Sequence, residues 1–201
     1  MNRLDARLTD VLEPVRDIAV GEILEVMARK LDVGCDVRPE PEHRNAHGHV
    51  AREGRLNLPR RGDLLVLNGT ERQLLRQVCS PKLLSFEPIT LVEADGFVSV
   101  ITPFYWDRAL IQVDAQAEDE PDWRPLRRWY LEWFQARFSD EAPDLEGVVH
   151  SLSGPRNSDS GYQFEADLGS APVETLSDMI GAFAESGARR IRIGIHPQPV
   201  F

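Results

Sequence analysis

Cysteine and lysine are scarce in this chain of 201 residues. Cys35 and Cys79 are the only cysteines, and they form neither a Cys-x-x-Cys pair nor a framework of bridges. Their scarcity excludes a disulfide-rich secreted scaffold and favours two reduced thiols in a reducing cytoplasm. Lys30 and Lys82 are the only lysines, so arginine carries nearly all of the positive charge. This bias is typical of a GC-rich coding genome, although arginine also suits bidentate pairing with carboxylates.

The chain also lacks long apolar runs and an excess of positive charge. Its first residues are charged and no continuous apolar segment follows them, so we expect neither a signal peptide nor a membrane span. The formal net charge is -10 and the isoelectric point is near 5.0, which argues against binding to nucleic acids or to anionic membranes. With 42% hydrophobic residues, the sequence indicates a globular cytoplasmic protein.

Recognisable catalytic and cofactor-binding motifs are missing as well. The sequence contains no Gly-x-Ser-x-Gly, no P-loop, no Gly-x-Gly-x-x-Gly and no His-Glu-x-x-His. It therefore gives no support to the familiar hydrolase, nucleotide-binding or metalloprotease chemistries. We expect no cofactor, and we favour a non-enzymatic function over an enzymatic one.

The first part of the chain, residues 1–80, is predicted to be a helical region with a long polar loop. Residues 3–31 have a helical apolar pattern, which Pro14 is expected to break into two segments. The second segment has a broad apolar face. Such a face favours packing in the core, and the alternative is a homodimer formed through this N-terminal helix.

The loop and the elements after it complete this first part. Residues 32–62 lose all periodicity and predict a polar loop. A short apolar run at residues 64–67 then predicts a buried strand. Thr70 and Gln73 have the spacing of a capping box, which predicts a short helix from Glu71 to Cys79.

The second part, residues 81–201, is predicted to be an α+β sandwich. Asp95-Gly96 separates two apolar runs and favours a type I′ turn, so a β-hairpin is expected there. From Ala109 onward the periodicity predicts a strand, a helix, two strands, a helix and a strand. These elements are expected at residues 109–115, 121–138, 148–153, 162–168, 173–186 and 190–195. The order resembles that of a ferredoxin-like (βαββαβ) antiparallel sandwich, with two helices on one face of the sheet.

The face of that sheet without helices is predicted to be polar. A solvated antiparallel sheet has such a face, and this explanation is favoured. The alternative is a site for a small ligand or a partner, formed by Asp114, Glu165, Asp167 and Arg192. The loop at residues 154–161 adds Arg156 and Asp159 as candidate binding residues, although turn formation alone explains its composition.

The predicted helix at residues 121–138 holds three of the four tryptophans. Much of its apolar face is expected to cover the sheet. Trp123 and Leu131 lie at the margins of that face, where aromatic and apolar side chains are typical of contacts with a protein partner.

The histidines offer two further candidates. His43, His47 and His49 fall within seven residues and predict a weak Zn or Ni site, because a fourth ligand at a typical spacing is missing. His150 is expected on the core side of its strand, as a histidine satisfied by a hydrogen bond rather than as a general base.

Three hypotheses about function follow from the sequence. The favoured one is a non-enzymatic adaptor protein that acts through contacts with a protein partner. The second is a small-ligand-binding or enzymatic domain that uses the polar sheet face or the pocket between the two parts of the chain. The third is a metal-responsive protein that uses the loop with the three histidines.

Overall fold

The computed structural model describes residues 3–78, 82–93, 95–114, 120–135, 145–158 and 161–195. Within these ranges the protein is mixed α+β, as the sequence predicts. The helices are α1 (Arg3–Asp32), α2 (Arg124–Phe134) and α3 (Glu174–Glu185). The strands are β1 (Asp36–Pro39), β2 (Arg52–Glu53), β3 (Leu58–Pro59), β4 (Leu64–Asn68), β5 (Glu71–Leu75), β6 (Ile89–Val92), β7 (Val98–Ile101), β8 (Ala109–Asp114), β9 (Ser151–Leu152), β10 (Arg156–Ser158), β11 (Gly161–Asp167) and β12 (Arg190–Gly194).

The largest sheet has seven strands, and β8 lies near its middle. β8 pairs antiparallel with β11 on one side and with β12 on the other, so that Ile111 lies opposite both Phe164 and Ile193. β9 and β10 pair antiparallel with β11 at its two ends. The neighbours of β8 are those that the order of elements predicts.

The predicted hairpin is present and belongs to the same sheet. β6 pairs antiparallel with β7 around Asp95-Gly96. Gly96 has a positive φ of 89°, but Asp95 lacks the positive φ that a type I′ turn also requires, so the expected turn type is wrong. β7 also pairs in parallel with β12. The hairpin therefore extends the sheet beyond β12 to its far edge.

The strand expected at residues 148–153 is reduced to β9, which has only two residues. The N–H of Val149 donates to the carbonyl of Trp133 in α2 at 3.0 Å, so this amide serves a helix rather than a neighbouring strand. The amide of His150 still donates to the carbonyl of Asp167 in β11 at 3.0 Å, and regular pairing begins at Ser151. His150 and Leu152 are both buried, as the alternation predicts.

Helix α1 runs through Pro14 without the expected break. A proline inside a helix removes one hydrogen bond and costs about 3 kcal/mol. Packing offsets this cost, because Leu12 and Val15, on either side of the proline, are both buried in the main core. The second half of α1 buries Val20 and Ile23 in a smaller core with Leu64. The apolar face that was expected to allow a homodimer is therefore largely covered by the chain itself.

The helix predicted from Glu71 to Cys79 is wrong, because residues 71–75 form strand β5. Asn68 pairs with Glu71, so the two-residue loop Gly69-Thr70 joins β4 to β5, and Gly69 has a φ of 60° there. An Asn-Gly pair between apolar residues is itself a strong hairpin signal. The capping-box spacing is a local preference, and pairing of Leu74 and Leu75 with β4 overrides it. Cys79 lies outside the described residues.

Residues 32–62 are more regular than the predicted polar loop. They hold β1, β2 and β3, of which β1 pairs with β4 to complete a three-stranded sheet with β5. Isolated bridges join Glu42 to Arg61 and Arg44 to Val50. Within its described residues, the first part of the chain thus contains one helix, a three-stranded sheet and the two-stranded sheet of β2 and β3.

Helices α2 and α3 pack on each other and on the large sheet. The buried residues of α2 are Leu126, Trp129, Tyr130, Trp133 and Phe134, as its periodicity predicts. Gly187 follows α3 with a φ of 87° and ends it, as expected. Within the described residues, no helix combines the length and the apolarity that crossing a membrane requires.

Candidate functional site

A cleft of about 570 Å³ lies where the first part of the chain meets the large sheet. Its lining is strongly charged, with six arginines and four carboxylates. The arginines are Arg55, Arg60, Arg61, Arg76, Arg108 and Arg156. The carboxylates are Glu53, Asp107, Glu165 and Asp167. The lining therefore carries an excess of two positive charges in a chain whose net charge is -10.

The walls of the cleft come from separate stretches of the chain. Residues 53–61 and the end of β5 form one side, and β9, β10 and β11 form the other. The two sides approach closely at Gly154. A Cβ added there would lie 3.2 Å from the backbone nitrogen of Arg55, so a larger residue would push the sides apart.

The six arginines of the cleft fall into a paired group of four and an unpaired group of two. The paired arginines and their carboxylates are Arg55 with Glu120, Arg60 with Glu53, Arg61 with Glu146 and Arg108 with Asp107. Arg61 is an internal clamp, because it donates to the carbonyls of Phe134 at 3.1 Å and Glu40 at 2.6 Å and pairs with Glu146 at 2.5 Å. Arg76 and Arg156 are exposed, and no ion pair or hydrogen bond holds either guanidinium within the described part of the chain. These two side chains are therefore available to a ligand.

Behind the cleft lies a buried group of side chains that we name the carboxylate–histidine cluster: Glu40, Asp63, His150 and Asp167. His150 and Glu40 are both 0% exposed, and Nε2 of His150 lies 2.8 Å from Oε1 of Glu40. The same carboxylate accepts hydrogen bonds from the Oγ and the amide of Ser170. Because an ionised carboxylate only accepts, Nε2 of His150 carries the proton of this bond.

The other nitrogen of His150 faces the two aspartates. Nδ1 lies 3.0 Å from Oδ1 of Asp63 and 3.7 Å from Oδ2 of Asp167. Oδ2 of Asp167 is too far from Nδ1 for a hydrogen bond, and the contact with Asp63 lacks the alignment of one, so Nδ1 has no hydrogen-bond partner among the described residues. Asp167 also lines the cleft, so the cluster and the cleft share this residue.

Burial and the neighbouring charges shift the pKa values in the cluster. Burial alone would lower the pKa of His150, but the carboxylates of Asp167, Asp63 and Glu40 outweigh it and hold this pKa well above its usual value. Burial would raise the pKa of Glu40, yet its bonds to His150 and Ser170 keep it below the usual value. Burial dominates at Asp63 and raises its pKa. The cluster therefore places a histidine with a raised pKa, His150, beside a carboxyl group whose pKa is also raised, that of Asp63.

Several contacts fix the cluster in place. Gly169 has a φ of 54°, and a Cβ there would lie 2.4 Å from Cδ2 of His150, so only glycine fits beside the imidazole. The hydroxyl of Tyr130 donates towards the carbonyls of Pro59 at 2.6 Å and His150 at 3.1 Å. Arg16 of α1, although buried, donates to the carbonyl of Ser170 at 3.0 Å. Helices from both parts of the chain thus hold the site.

A second acidic side chain of the cleft, Asp107, stands near Asp167. Its Oδ2 accepts a hydrogen bond of 2.5 Å from the side-chain amide, Nε2, of Gln77. Burial raises the pKa of Asp107, and the charge of Asp167 raises it further. The cleft floor therefore concentrates negative charge, while its rim carries the exposed arginines.

The structure brings together some of the residues predicted from the sheet face and leaves others apart. Glu165, Asp167 and Arg156 line the cleft. Asp114 and Arg192 lie on β8 and β12 and are not among the residues that line it. Asp159 lies outside the described residues.

The two candidate partner contacts on α2 are less exposed than expected. Trp123 is only 7% exposed and makes edge contacts with Phe164 and Phe183, at centroid distances of 5.0 and 6.5 Å. Leu131 is half-buried and packs against the main core. Trp123 is thus a core residue, because β11 and α3 close over the edge of the helical face.

His43, His47 and His49 are not the described residues whose metal-ligating atoms lie closest together. The amides of His47 and His49 donate to the side chain of Asn45, and Nδ1 of His43 lies 4.0 Å from Glu53. Within the described residues, the group of three or more ligand atoms lying within 4.8 Å of one another is formed by Asp63, His150 and Asp167.

The sequence does not identify Glu40 or Asp63 as site residues, whereas the expectation that His150 is buried and satisfied by a hydrogen bond is confirmed. Glu40 and Asp63 each stand alone in their own segments, and no spacing links either of them to His150. The one local signal is that Glu40 stands between Pro39 and Pro41 and has a positive φ of 46°, an unusual conformation that often marks a functional position.

Comparison with known proteins gives no match: no protein family, no curated protein and no solved structure is recognisably similar to this chain. The function is therefore inferred from the geometry of the cleft and of the carboxylate–histidine cluster.

Proposed function

We propose that the protein binds an anionic small molecule in the cleft, with Arg76 and Arg156 holding its phosphate or carboxylate groups. The observation that carries this proposal is that two of the six arginines in one cleft of an acidic protein, Arg76 and Arg156, are exposed and have no ion pair among the described residues. Guanidinium groups pair with phosphate and carboxylate in a bidentate way, which gives both affinity and orientation.

The size and the apolar lining support a small molecule rather than a macromolecule. The volume of about 570 Å³ falls within the range of roughly 300 to 1,000 Å³ that is usual for ligand pockets. Leu58, Leu74 and Leu152 also line the cleft and offer contacts to a non-polar portion of the ligand. We therefore infer a ligand with one or two anionic groups on a small organic framework.

The sandwich supports the same assignment. We infer that β12, β8, β11 and β9, with α2 and α3, form a ferredoxin-like sandwich that the hairpin β6–β7 enlarges. The pairing of β8 with β11 and β12 supports this inference. In such an arrangement the sheet holds the ligand site on one face, while the helices cover the other.

This function replaces the adaptor as the favoured one. The adaptor hypothesis relied on an exposed aromatic margin of α2, and Trp123 is buried there. The protein partner, the homodimer, the cytoplasmic location and the metal site in the histidine loop stay predictions.

The test measures binding to the full chain by calorimetry and by thermal shift. The compounds are inorganic phosphate and a panel of small phosphorylated and carboxylated molecules. We expect at least one of them to raise the melting temperature and to bind with saturation. Replacing Arg76 or Arg156 with alanine should weaken that binding about 10-fold to 100-fold, since a hydrogen bond to a charged group contributes about 1.5 to 3 kcal/mol.

Arg72→Ala is the matched control, because Arg72 is an exposed arginine on β5 that does not line the cleft. It should bind the same compound as tightly as the unmodified chain. Binding that is equally weakened by Arg72→Ala, or that no anion of the panel produces, would contradict the proposed function.

A further inference from the structure

We propose that Asp63, His150 and Asp167 bind one divalent first-row metal ion, of the Zn²⁺ or Mn²⁺ kind, at the floor of the cleft. The ligand atoms are Oδ1 of Asp63, Nδ1 of His150 and Oδ2 of Asp167. This site is separate from the histidine loop considered from the sequence. It does not depend on the binding of an anion to the arginines of the rim.

The hydrogen bond at Nε2 determines what Nδ1 presents to the aspartates. Because Nε2–H donates to Glu40, a neutral imidazole directs the lone pair of Nδ1 at the two carboxylates. A lone pair facing a carboxylate oxygen at 3.0 Å is repulsive unless a cation lies between them. A proton on Nδ1 is one such cation, and a metal ion must displace it in order to bind. A metal ion placed off the direct line between the atoms satisfies all three groups at once.

The distances in the cluster fit coordination. Metal-to-ligand distances of about 2.0 to 2.2 Å, with angles near 90° to 110°, separate neighbouring ligand atoms by about 3.0 to 3.5 Å. Nδ1 and Oδ1 of Asp63 are 3.0 Å apart, and Nδ1 and Oδ2 of Asp167 are 3.7 Å apart. The two carboxylate oxygens lie within 4.8 Å of each other, so closure around a metal ion requires a shift of Asp167 towards the other two ligands.

Each of the three ligand side chains is held by its other polar atom. Glu40 binds Nε2 of His150, the amide of Val78 donates to Oδ2 of Asp63 at 2.6 Å, and the amide of Gly169 donates to Oδ1 of Asp167 at 3.0 Å. Protein metal sites commonly have such outer hydrogen bonds, and a carboxylate on the far nitrogen of a ligating histidine is the most frequent of them. The remaining polar atoms face one another: Oδ1 of Asp63, Nδ1 of His150 and Oδ2 of Asp167.

The ligand set indicates the class of metal. One imidazole nitrogen with two carboxylate oxygens suits Zn²⁺, Mn²⁺ and Fe²⁺ better than Ca²⁺, which takes oxygen ligands alone. Three protein ligands also leave coordination positions for water or a ligand. Asp167 reaches the cleft, so these positions would lie beside the site of the anion.

The first experiment titrates metal-stripped full chain with ZnCl₂ and with MnCl₂ in a calorimeter. We expect one ion of at least one of these metals per chain. Asp167→Asn keeps the shape of the side chain and the oxygen that accepts from Gly169, and it should weaken binding at least about tenfold. Glu40→Gln tests the positioning role of Glu40, and a loss of about 10-fold to 100-fold is expected.

Two controls separate this site from the others. A variant with His43, His47 and His49 all replaced by glutamine should keep its metal affinity. Arg76→Ala should also keep it, although the same change weakens anion binding. Failure of the metal site and failure of the anion site are thus distinguished.

A second measurement does not require any variant to fold. Mn²⁺ broadens the nuclear magnetic resonance signals of nearby histidines, so the ring signals of His150 should disappear at low Mn²⁺ while those of His47 persist. The inference is overturned if neither metal binds the unmodified chain at concentrations up to about 1 mM. It is equally overturned if the broadening begins at the histidine loop, or if Asp167→Asn folds and binds the metal with unchanged affinity.

Discussion

The interior of this protein contains two dense clusters that differ in how they are assembled. The aromatic cluster, formed by Trp123, Tyr162, Phe164 and Phe183, joins α2, β11 and α3 through ring contacts at centroid distances of 5.0 to 6.5 Å. The carboxylate–histidine cluster joins four separate segments through charge. Its central contact, between Glu40 and His150, spans 110 residues of sequence.

The difference teaches what each kind of cluster demands of the sequence. Aromatic packing tolerates shifts of a fraction of an ångström, because its stability comes from the burial of apolar surface. A buried carboxylate is unfavourable until its partners are in place, so the ionic cluster depends on the remainder of the fold. Loss of a ring should therefore cost stability, whereas loss of a charge should cost both stability and function. The predictions below test this contrast in the metal-free protein.

The largest expected effect is in the aromatic cluster. Trp123→Ala should lower the free energy of unfolding by about 3 to 5 kcal/mol, because it removes a buried tryptophan and leaves a cavity. Leu131→Ala, at a half-buried position of the same helix, should cost clearly less. Chemical denaturation followed by fluorescence and by circular dichroism measures both. Equal losses would place Trp123 at the surface and restore it as a candidate partner contact.

A smaller loss is expected in the carboxylate–histidine cluster. Glu40→Gln keeps the size of the side chain but removes its charge, and it places an amide among donors from Ser170 and Glu146. The free energy of unfolding should fall by about 1.5 to 3 kcal/mol, the typical contribution of a hydrogen bond to a charged group. Denaturation in the presence of a chelator measures the change.

Glu71→Gln is the matched control for this variant, since Glu71 is exposed on β5. It should leave the stability unchanged. If Glu40→Gln is as neutral as the control, the carboxylate–histidine cluster contributes nothing to folding, and its only role is in the function of the cleft.

The edge-to-face geometry of the rings is expected to contribute less to the free energy of unfolding than their burial does. Phe164 and Phe183 meet edge to face at a centroid distance of 5.3 Å. A double-mutant cycle with leucine at both positions should give a coupling free energy of about 0.5 to 1.5 kcal/mol. A coupling near zero would mean that the cluster acts through buried area alone.

The smallest effect on stability is expected at the rim of the cleft. Arg76→Ala and Arg156→Ala should each change the free energy of unfolding by less than about 0.5 kcal/mol, because both side chains are exposed. Thermal denaturation without ligand measures this change. A loss above that limit would show that these arginines support the fold, and their effect on anion binding would then need to be separated from it.

The sequence is most informative where a pattern repeats along one element. The buried face of α2, the end of α3 at Gly187 and the hairpin at Asp95-Gly96 all follow from local periodicity or turn chemistry. Prediction fails at residues 71–75, where a capping box and an Asn-Gly turn give opposite signals and long-range pairing decides. It fails again at Glu40 and Asp63, because nothing near either residue shows that the fold brings it to His150.

The parallel pairing of β7 with β12 has a consequence for folding during synthesis of the chain. β12 lies between β7 and β8, so the hairpin at residues 89–101 has no route into the large sheet until Arg190–Gly194 has been synthesised. Until then, β7 and β8 each expose an unpaired edge, which other chains can extend. Strand β12 pairs with both edges at once. A chain that ends before Arg190 would therefore have a large sheet that is split in two.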